Sequence, residues 1–204
     1  MMRSEKDLIP YSHGRLDGSP VLVLAPHPDD EVFGCGGAIV QLVAAGAEVR
    51  LVILTDGAAQ GDASIRRAEA LEASLRLGLE EPEFWELADR SLRPDDSDLA
   101  DRLRALLTEL APQLILVPSP AEIHPDHRAV GLLVYSLLHS TSAGGELHDA
   151  LQATRIATYE VSAALRPNLL VDVSAEWETV LSAAKAYVSQ LEVHPYIEVM
   201  DGMA

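Results

Sequence analysis

The stretch "VLVLAPHPDDEVFGCGG", residues 21–37, decides the fold class of this chain. Its first five residues are an uninterrupted apolar run, which is typical of a strand that is buried on both faces. A histidine and three carboxylates follow at 27–31, and the stretch "GGAIVQLVAAGA" behind them predicts a helix that closes near Gly46. The sequence thus predicts a strand, a polar loop and a helix in direct succession.

The same alternation continues along the rest of the chain. Strands are predicted at "VRLVILT" (49–55), "PEFWEL", "LILVPS" (114–119), "RIATYEV" and "LLVDVS". Helices are predicted at "SIRRAEALEASLRLGL", "SDLADRLRALLTELAP", "DHRAVGLLVYSLLHS" and "AEWETVLSAAKAYVSQL", with Ser64 as an N-cap and Gly78 as a stop. No repeat or linker divides the chain. We therefore predict one α/β domain over 1–204, with a mainly parallel sheet and helices on both faces.

Composition excludes several classes of partner. The chain has 204 residues, of which 48% are hydrophobic, and a formal net charge of −17 at pH 7. Such an acidic surface repels nucleic acid and anionic membranes. Its apolar runs fall well short of the roughly 20 residues that span a bilayer. The first 14 residues lack the apolar core of a signal peptide, and the single Cys35 rules out an internal disulfide. We expect a cytoplasmic protein.

Three polar clusters follow three of the predicted strands. The "HPDDE" cluster at 27–31 follows the first strand, "TDG" at 55–57 follows the second, and "HPDH" at 124–127 follows the strand at 114–119. The carboxyl ends of parallel strands meet at one edge of a sheet, and ligands of open α/β sheets bind there. The sequence therefore predicts a functional site at this edge.

Helix capping is the simplest alternative explanation for the acidic residues of these clusters. Carboxylates are favourable at the start of a helix, so capping accounts for "PDDE" and for Asp126. It does not account for His27, His124 and His127, three of the seven histidines, which fall in two similar H-P-D segments. Their placement favours a metal site.

Residue spacing suggests roles within this site. His27 and Asp30 are three residues apart, so both can face one point while Asp29 faces elsewhere, and His124 and His127 have the same separation. Two imidazoles and one carboxylate make a three-ligand site with open positions, typical of catalytic Zn²⁺ and also suited to Fe²⁺. Asp29 is then a candidate general base, and His124 can stabilise an oxyanion or protonate a leaving amine. This set predicts a hydrolase.

The motifs "APHPDDEVFGCGG" and "HPDHRAVG" resemble the two signature motifs of the zinc-dependent N-acetylglucosaminyl deacetylases, the PIG-L or LmbE-like family. The resemblance covers about residues 20–192 and includes "LTDG", "IRRAEALEASLRLG" and the late "PNLLVDVSAEWETVLSAAKAYVSQL". It implies a Rossmann-like fold and the removal of an acetyl group from an N-acetylated amino sugar or its conjugate.

The resemblance also implies a role for each motif residue. His27, Asp30 and His127 match the family's zinc ligands, and Asp29 matches its general base. His124 matches the histidine that assists at the tetrahedral intermediate.

Two further positions are implied to hold sugar hydroxyls. They are an arginine of the second helix, Arg66 or its neighbour Arg67, and Asp89 after the third strand. The alternative is that these are charges on a solvated face. The sequence departs from the family here, because "DRS" stands where many members have D-G. The chain also ends at Ala204, where members usually continue with another helical segment, which predicts a more open pocket, one completed by a neighbouring subunit, or a shortened sequence.

The "GCGG" segment invites a nucleotide-binding interpretation, which its spacing does not support. Gly34, Gly36 and Gly37 miss the G-x-G-x-x-G pattern, so we expect no nucleotide cofactor. Glycines here instead allow close backbone packing, and Cys35 is expected to be a small core residue.

Two rival functions stay open at this point. One is a metal-dependent amidase or phosphoesterase acting on another small molecule, although basic residues near the motifs are few and phosphoester cleavage usually needs a cationic clamp or a second metal. The other is a non-catalytic α/β module that binds a metal and a sugar, which would require neither Asp29 nor His124. We expect a small-molecule substrate both for the deacetylase and for the rival enzymes. We also expect a homo-oligomer.

Overall fold

A five-stranded sheet forms the centre of the protein, of which the computed structural model describes residues 12–139 and 145–203. The strands in chain order are β1 (Ser12–Gly14), β2 (Val21–Ala25), β3 (Val49–Thr55), β4 (Glu83–Leu87), β5 (Leu114–Pro118), β6 (Arg155–Tyr159) and β7 (Leu169–Val171). The central sheet has the order β4-β3-β2-β5-β6, with all neighbours parallel. β1 and β7 pair in a separate parallel ribbon. The mainly parallel sheet is confirmed.

Helices cover both faces of this sheet, as predicted. In chain order they are α1 (Asp30–Ala44), α2 (Ala63–Leu77), α3 (Ser97–Leu110), α4 (Pro125–His139), α5 (Glu146–Leu151), α6 (Trp177–Ala184), α7 (Val188–Leu191) and α8 (Tyr196–Met203). Along β2, Val21 and Val23 belong to the core with α1, α2 and α6, whereas Leu22 and Leu24 belong to the core with α3 and α4. All residues of β2 and β5 are buried, which explains their continuous apolar sequences.

The strand order places a crevice next to β2. The chain proceeds from β2 to β3 and β4 on one side of the sheet and later to β5 and β6 on the other. This is the Rossmann-like strand order, in which the connections after the two central strands diverge and leave room for a ligand. The loops after β2 and β5 carry the two histidine motifs, so both motifs lie at this crevice.

Two helix starts differ from the prediction. The helix behind β2 begins already at Asp30, and Cys35, with φ −145°, interrupts it before it continues to Ala44. The N-cap of α2 is Asp62 and not Ser64, since the Asp62 carboxylate accepts from the Ser64 and Ile65 amides. The predicted stop at Gly78 is confirmed, because Gly78 adopts φ 80° after α2.

The last predicted helix is in fact two. It breaks at Tyr187, with φ −82° and ψ 58°, into α6 and the single turn α7. The break coincides with the burial of the Tyr187 ring, whose hydroxyl reaches Glu31 on α1. Within the described ranges, no helix combines the length and apolarity that crossing a bilayer requires. The sequence also predicts a loop around Gly144 and Gly145, of which Gly144 lies outside the described residues.

Close backbone packing at the "GCGG" segment agrees with its glycine content. A Cβ atom on Gly34 would overlap the ring of Tyr159, and one on Gly37 would lie 2.5 Å from Val173. The Tyr159 hydroxyl donates to the Leu24 carbonyl at 2.7 Å, which ties the end of β6 to β2 beneath the crevice. Cys35 is a buried core residue.

Candidate active site

Two loops bring the predicted metal ligands together at the crevice. His27 and Asp30 follow β2, and His127 lies in the first turn of α4 after β5. Asp30 Oδ2 lies 3.2 Å from His27 Nδ1, Asp30 Oδ1 lies 3.1 Å from His127 Nε2, and the two imidazole nitrogens are 3.3 Å apart. All three side chains are buried. Residues 100 positions apart in the sequence thus form one cluster of ligand atoms, hereafter the ligand cluster.

The ligand cluster has the charge balance of a cation site. Burial alone lowers the pKa of His27, but hydrogen bonds with Asp126, Asp30 and Asp89 together raise it to about 12. Burial raises the pKa of Asp30, but His127 and His27 lower it well below its usual range. The carboxylates therefore stabilise positive charge between them. Because the donor set is two imidazole nitrogens and one carboxylate, the residues fit Zn²⁺ or Fe²⁺.

Two further carboxylates support the histidines from behind. Asp126 Oδ2 lies 3.2 Å from His27 Nε2, and this carboxylate also accepts from the backbone amides of Arg90 and Leu92 at 2.7 and 3.2 Å. Asp126 therefore bonds to another loop, and helix capping does not explain its position. Glu122 Oε2 lies 3.5 Å from His127 Nδ1, an ion-pair distance, and the Glu122 carboxylate accepts from backbone amides after β6. Such contacts orient ligating imidazoles.

The Asp29 carboxylate lines the same cleft and pairs with a buried arginine. Arg66 is 2% exposed, and its Nη2 lies 2.8 Å from Asp29 Oδ2. The same guanidinium donates to the carbonyls of Pro28 and Gly57 at 2.5 and 2.9 Å. Although Asp29 occupies the N-cap position of α1, its side chain makes no capping hydrogen bond, so capping does not explain this residue either. Burial and the Asp30 charge raise the pKa of Asp29 to about 8, against the lowering effect of Arg66.

A second buried contact holds the backbone of Asp29. Its φ of 121° is strained for a residue with a side chain. The Asp29 amide donates to Glu31 Oε2 at 3.1 Å, and the Tyr187 hydroxyl donates to the other oxygen of Glu31. Glu31 and Tyr187 are both completely buried. Tyr187, in the segment between α6 and α7, therefore holds the Asp29 backbone in place through Glu31.

His124 stands over the ligand cluster without joining its hydrogen bonds. Its ring meets the His27 ring edge-to-face with centroids 4.6 Å apart. Burial and the charges of His27 and His127 lower the pKa of His124, so its neutral form is favoured. Because Nδ1 accepts from the Asp126 amide at 3.3 Å, the proton of the neutral ring lies on Nε2.

A cleft of about 260 Å³ opens above these residues. One side, the polar side, contains the predicted catalytic and substrate-binding side chains and continues with Gln60 and Ser162. The apolar residues that line the cleft, hereafter the apolar wall, are Phe33, Val161, Tyr196, Val199 and Met200. The cleft is near the lower end of the size range of small-molecule sites, which begins at about 300 Å³.

The family model described as "PIG-L: GlcNAc-PI de-N-acetylase" matches residues 22–138, which include every motif residue of the ligand cluster. The chain belongs to the PIG-L family. This membership agrees with the resemblance carried by the two histidine motifs and with the Rossmann-like sheet.

Relatives of this PIG-L protein include named deacetylases. The diacetylchitobiose deacetylase of Thermococcus kodakarensis is 30% identical, over 85% of this chain and 71% of that protein. The probable N-acetyl-alpha-D-glucosaminyl L-malate deacetylase 2 of Bacillus cereus is 27% identical, over 84% of each chain. Among solved structures, the conserved protein TT1542 from Thermus thermophilus is 31% identical with a TM-score of 0.78, over 90% of this chain and 85% of that one.

The structure distinguishes between the two arginines considered for substrate binding in this PIG-L protein. Arg66 and Asp89 line the cleft. Arg67 instead pairs with Glu86 at 3.0 Å and stacks over the ring of Phe84. Asp89 Oδ1 lies 3.2 Å from His27 Nε2. A contact of Arg66 or Asp89 with a sugar stays a prediction.

Several site residues were missed by reasoning from the sequence. Asp126 and Glu31 lie inside the two histidine motifs, so motif position is the available signal, but helix capping offers an alternative explanation for both acids. Tyr187 and the late residues of the apolar wall, by contrast, lie far from either motif. An apolar residue at helical spacing indicates a core position, and no local pattern distinguishes one that faces a cleft.

Proposed function

We propose that this PIG-L family protein is a metal-dependent hydrolase that removes the acetyl group from an N-acetylated amino sugar or its conjugate. The observation that carries the proposal is the position of Asp29, a carboxylate fixed by a buried guanidinium directly beside the ligand cluster. The neighbouring Asp30 belongs to the ligand cluster, so the two carboxylates have different partners. The named activities of the relatives support the same reaction.

His27, Asp30 and His127 would hold the metal, which we propose to be Zn²⁺, a choice that the two-imidazole, one-carboxylate set supports but shares with Fe²⁺. A cation bound by these residues supplies Lewis acidity, which polarises the acetamide carbonyl and brings the pKa of water close to 7. Asp126 and Glu122 keep the imidazoles oriented toward the cleft.

The proton transfers fall to Asp29 and His124. Arg66 occupies Oδ2 of Asp29, so the other carboxylate oxygen accepts the proton of the attacking water as its oxygen bonds to the acetyl carbon. The Nε2–H of His124 donates to the carbonyl oxygen as negative charge develops there. Asp29 then returns its proton to the amide nitrogen while the C–N bond breaks. The products are acetate and the free amino sugar.

Metal content and substrate turnover together test this proposal. We expect about one Zn²⁺ or Fe²⁺ per chain in the wild type and little in Asp30→Ala and His127→Ala, by elemental analysis. The loaded wild type should release amine from N-acetylglucosamine, N,N′-diacetylchitobiose or a glycoside of N-acetylglucosamine, and no phosphate from a chromogenic phosphate ester. Metal binding without amine release would favour the non-catalytic module. Phosphate release would favour the phosphoesterase, and a wild type that stays metal-free would refute the metal site.

We further propose a cytoplasmic location, which the single buried Cys35 supports because a chain without disulfides suits a reducing compartment. Assembly into a homo-oligomer also stays a prediction. Size-exclusion chromatography with light scattering would measure it directly.

A further inference from the structure

We infer that the apolar wall is a subsite for an uncharged, apolar aglycone attached to the amino sugar, with α8 as its main element. The inference rests on the proposed function for the identity of the sugar. It concerns the half of the cleft that takes no part in the proton transfers. Its evidence is the packing of the wall, the charges that face it and its place in the chain.

The apolar wall is anchored by aromatic packing and remains open to the cleft. The Phe33 and Tyr196 rings lie with centroids 4.7 Å apart at an angle of 35°, and Phe33 also meets the buried Tyr187 at 6.2 Å. Met200 is 8% exposed and fixes α8 to the core, whereas Val199 on the same helix is 49% exposed and lines the cleft. A half-exposed valine beside an aromatic pair offers apolar surface that a ligand can cover.

The charges of the cleft disfavour an anionic aglycone. Three carboxylates line it, those of Asp29, Asp30 and Asp89. Among the described residues that line the cleft, Arg66 is the one lysine or arginine, and its guanidinium already donates to Asp29 and to two backbone carbonyls. A carboxylate or phosphate on the substrate would therefore find no free guanidinium to pair with in the cleft, even when a bound divalent cation offsets the charge of the lining carboxylates. An uncharged group against the apolar wall avoids that cost.

Most of the apolar wall also lies outside the residues that the family model matches. The family model matches residues 22–138, whereas Val161, Tyr196, Val199 and Met200 come later in the chain. The residues for the chemistry and most of the residues of the wall therefore come from different segments. The part of the cleft outside the family match determines which aglycone this chain accepts.

Binding of glucosides that lack the acetamide tests the subsite independently of turnover. We would titrate the metal-loaded protein with methyl, phenyl and 4-carboxyphenyl D-glucosides, in both anomeric forms, by isothermal calorimetry. We expect the phenyl glucoside to bind about tenfold more tightly than the methyl one, which corresponds to burial of part of a ring. The 4-carboxyphenyl glucoside, matched in shape, should lose that advantage.

Variants of α8 test whether the preference for the phenyl glucoside arises at this helix. Tyr196→Ala and Val199→Ala should each reduce the preference for phenyl over methyl to less than about threefold, whereas Tyr196→Phe should keep it. Glu198→Ala is the matched control, since Glu198 is exposed on the same helix and does not line the cleft. Equal or undetectable binding of the phenyl and methyl compounds, tighter binding of the carboxylate, or an equal loss in Glu198→Ala would overturn the inference. Phenyl-selective binding by a protein that releases no amine would leave the subsite standing and refute the proposed function.

Discussion

The two sides of the cleft are built in different ways. The side chains of the polar side come from the loops at the carboxyl ends of parallel strands and from the first turns of the helices that follow. Most are held by other protein groups, as Arg66 holds Asp29 and Asp126 holds His27. The apolar wall rests mainly on α8, an eight-residue helix attached by side-chain packing. The comparison teaches that a sheet edge can position the side chains for chemistry while a separate helix contributes the apolar surface of the same cleft.

Asp29→Asn should have the largest effect on turnover and separates chemistry from metal binding. The asparagine keeps the shape of the side chain and an acceptor for Arg66 but cannot take a proton. Because general base catalysis contributes about 10²- to 10⁴-fold, we expect kcat to fall by that range with metal content unchanged. Amine release and elemental analysis measure the two quantities. Loss of the metal in this variant would show that Asp29, rather than Asp30 alone, is a ligand.

Arg66→Gln should affect both stability and activity. The substitution removes the guanidinium from a buried carboxylate and two carbonyls, and breaking such a buried pair costs about 3–5 kcal/mol. We expect lower thermal stability and a kcat at least about tenfold lower. Arg67→Gln is the control, because Arg67 is the next residue but pairs with exposed Glu86, and its effect should stay within about 0.5 kcal/mol. Equal losses of stability and kcat in Arg66→Gln and Arg67→Gln would contradict the conclusion that Arg66 holds the Asp29 carboxylate.

Tyr187→Phe tests whether the buried Tyr187 holds the Asp29 backbone in place through Glu31. It removes one hydrogen bond to the fully buried Glu31, which costs about 1–3 kcal/mol. We also expect a several-fold decrease in kcat with KM unchanged, because the Asp29 backbone loses its brace. Thermal unfolding and steady-state kinetics measure these effects. Tyr135→Phe, at an exposed tyrosine of α4, should leave both unchanged.

Tyr196→Ala should have the smallest effect on the chemistry. If the apolar wall only selects the aglycone, kcat/KM for free N-acetylglucosamine should change by less than about threefold, with full metal content, because a ring of this kind contributes only where it is covered. Steady-state amine release checks this. A loss of about a hundredfold for the free sugar would mean that the two sides of the cleft do not act separately.

Much of the fold and of the ligand cluster could be predicted because the relevant signals are local. The apolar run 21–25 and the motif that follows it lie within a few residues of each other. Parallel pairing of β2 and β5 then brings the second histidine motif, which follows β5, to the same edge of the sheet. The structure places His27, Asp30 and His127 together at that edge, and their binding of a metal stays a prediction. The interrupted α1 and the break at Tyr187 could not be predicted, since both depend on what the segments pack against.

By itself the sequence determined the order of strands and helices, the sheet edge at which the motifs meet and the ligand types available there, because these follow from short-range patterns and the direction of parallel strands. Only the tertiary structure decided that Arg66 serves Asp29, that Tyr187 reaches Glu31 across 156 positions and that Tyr196 faces the cleft. Such contacts depend on how helices lie on the sheet, and a sequence pattern specifies a buried face without specifying its partner.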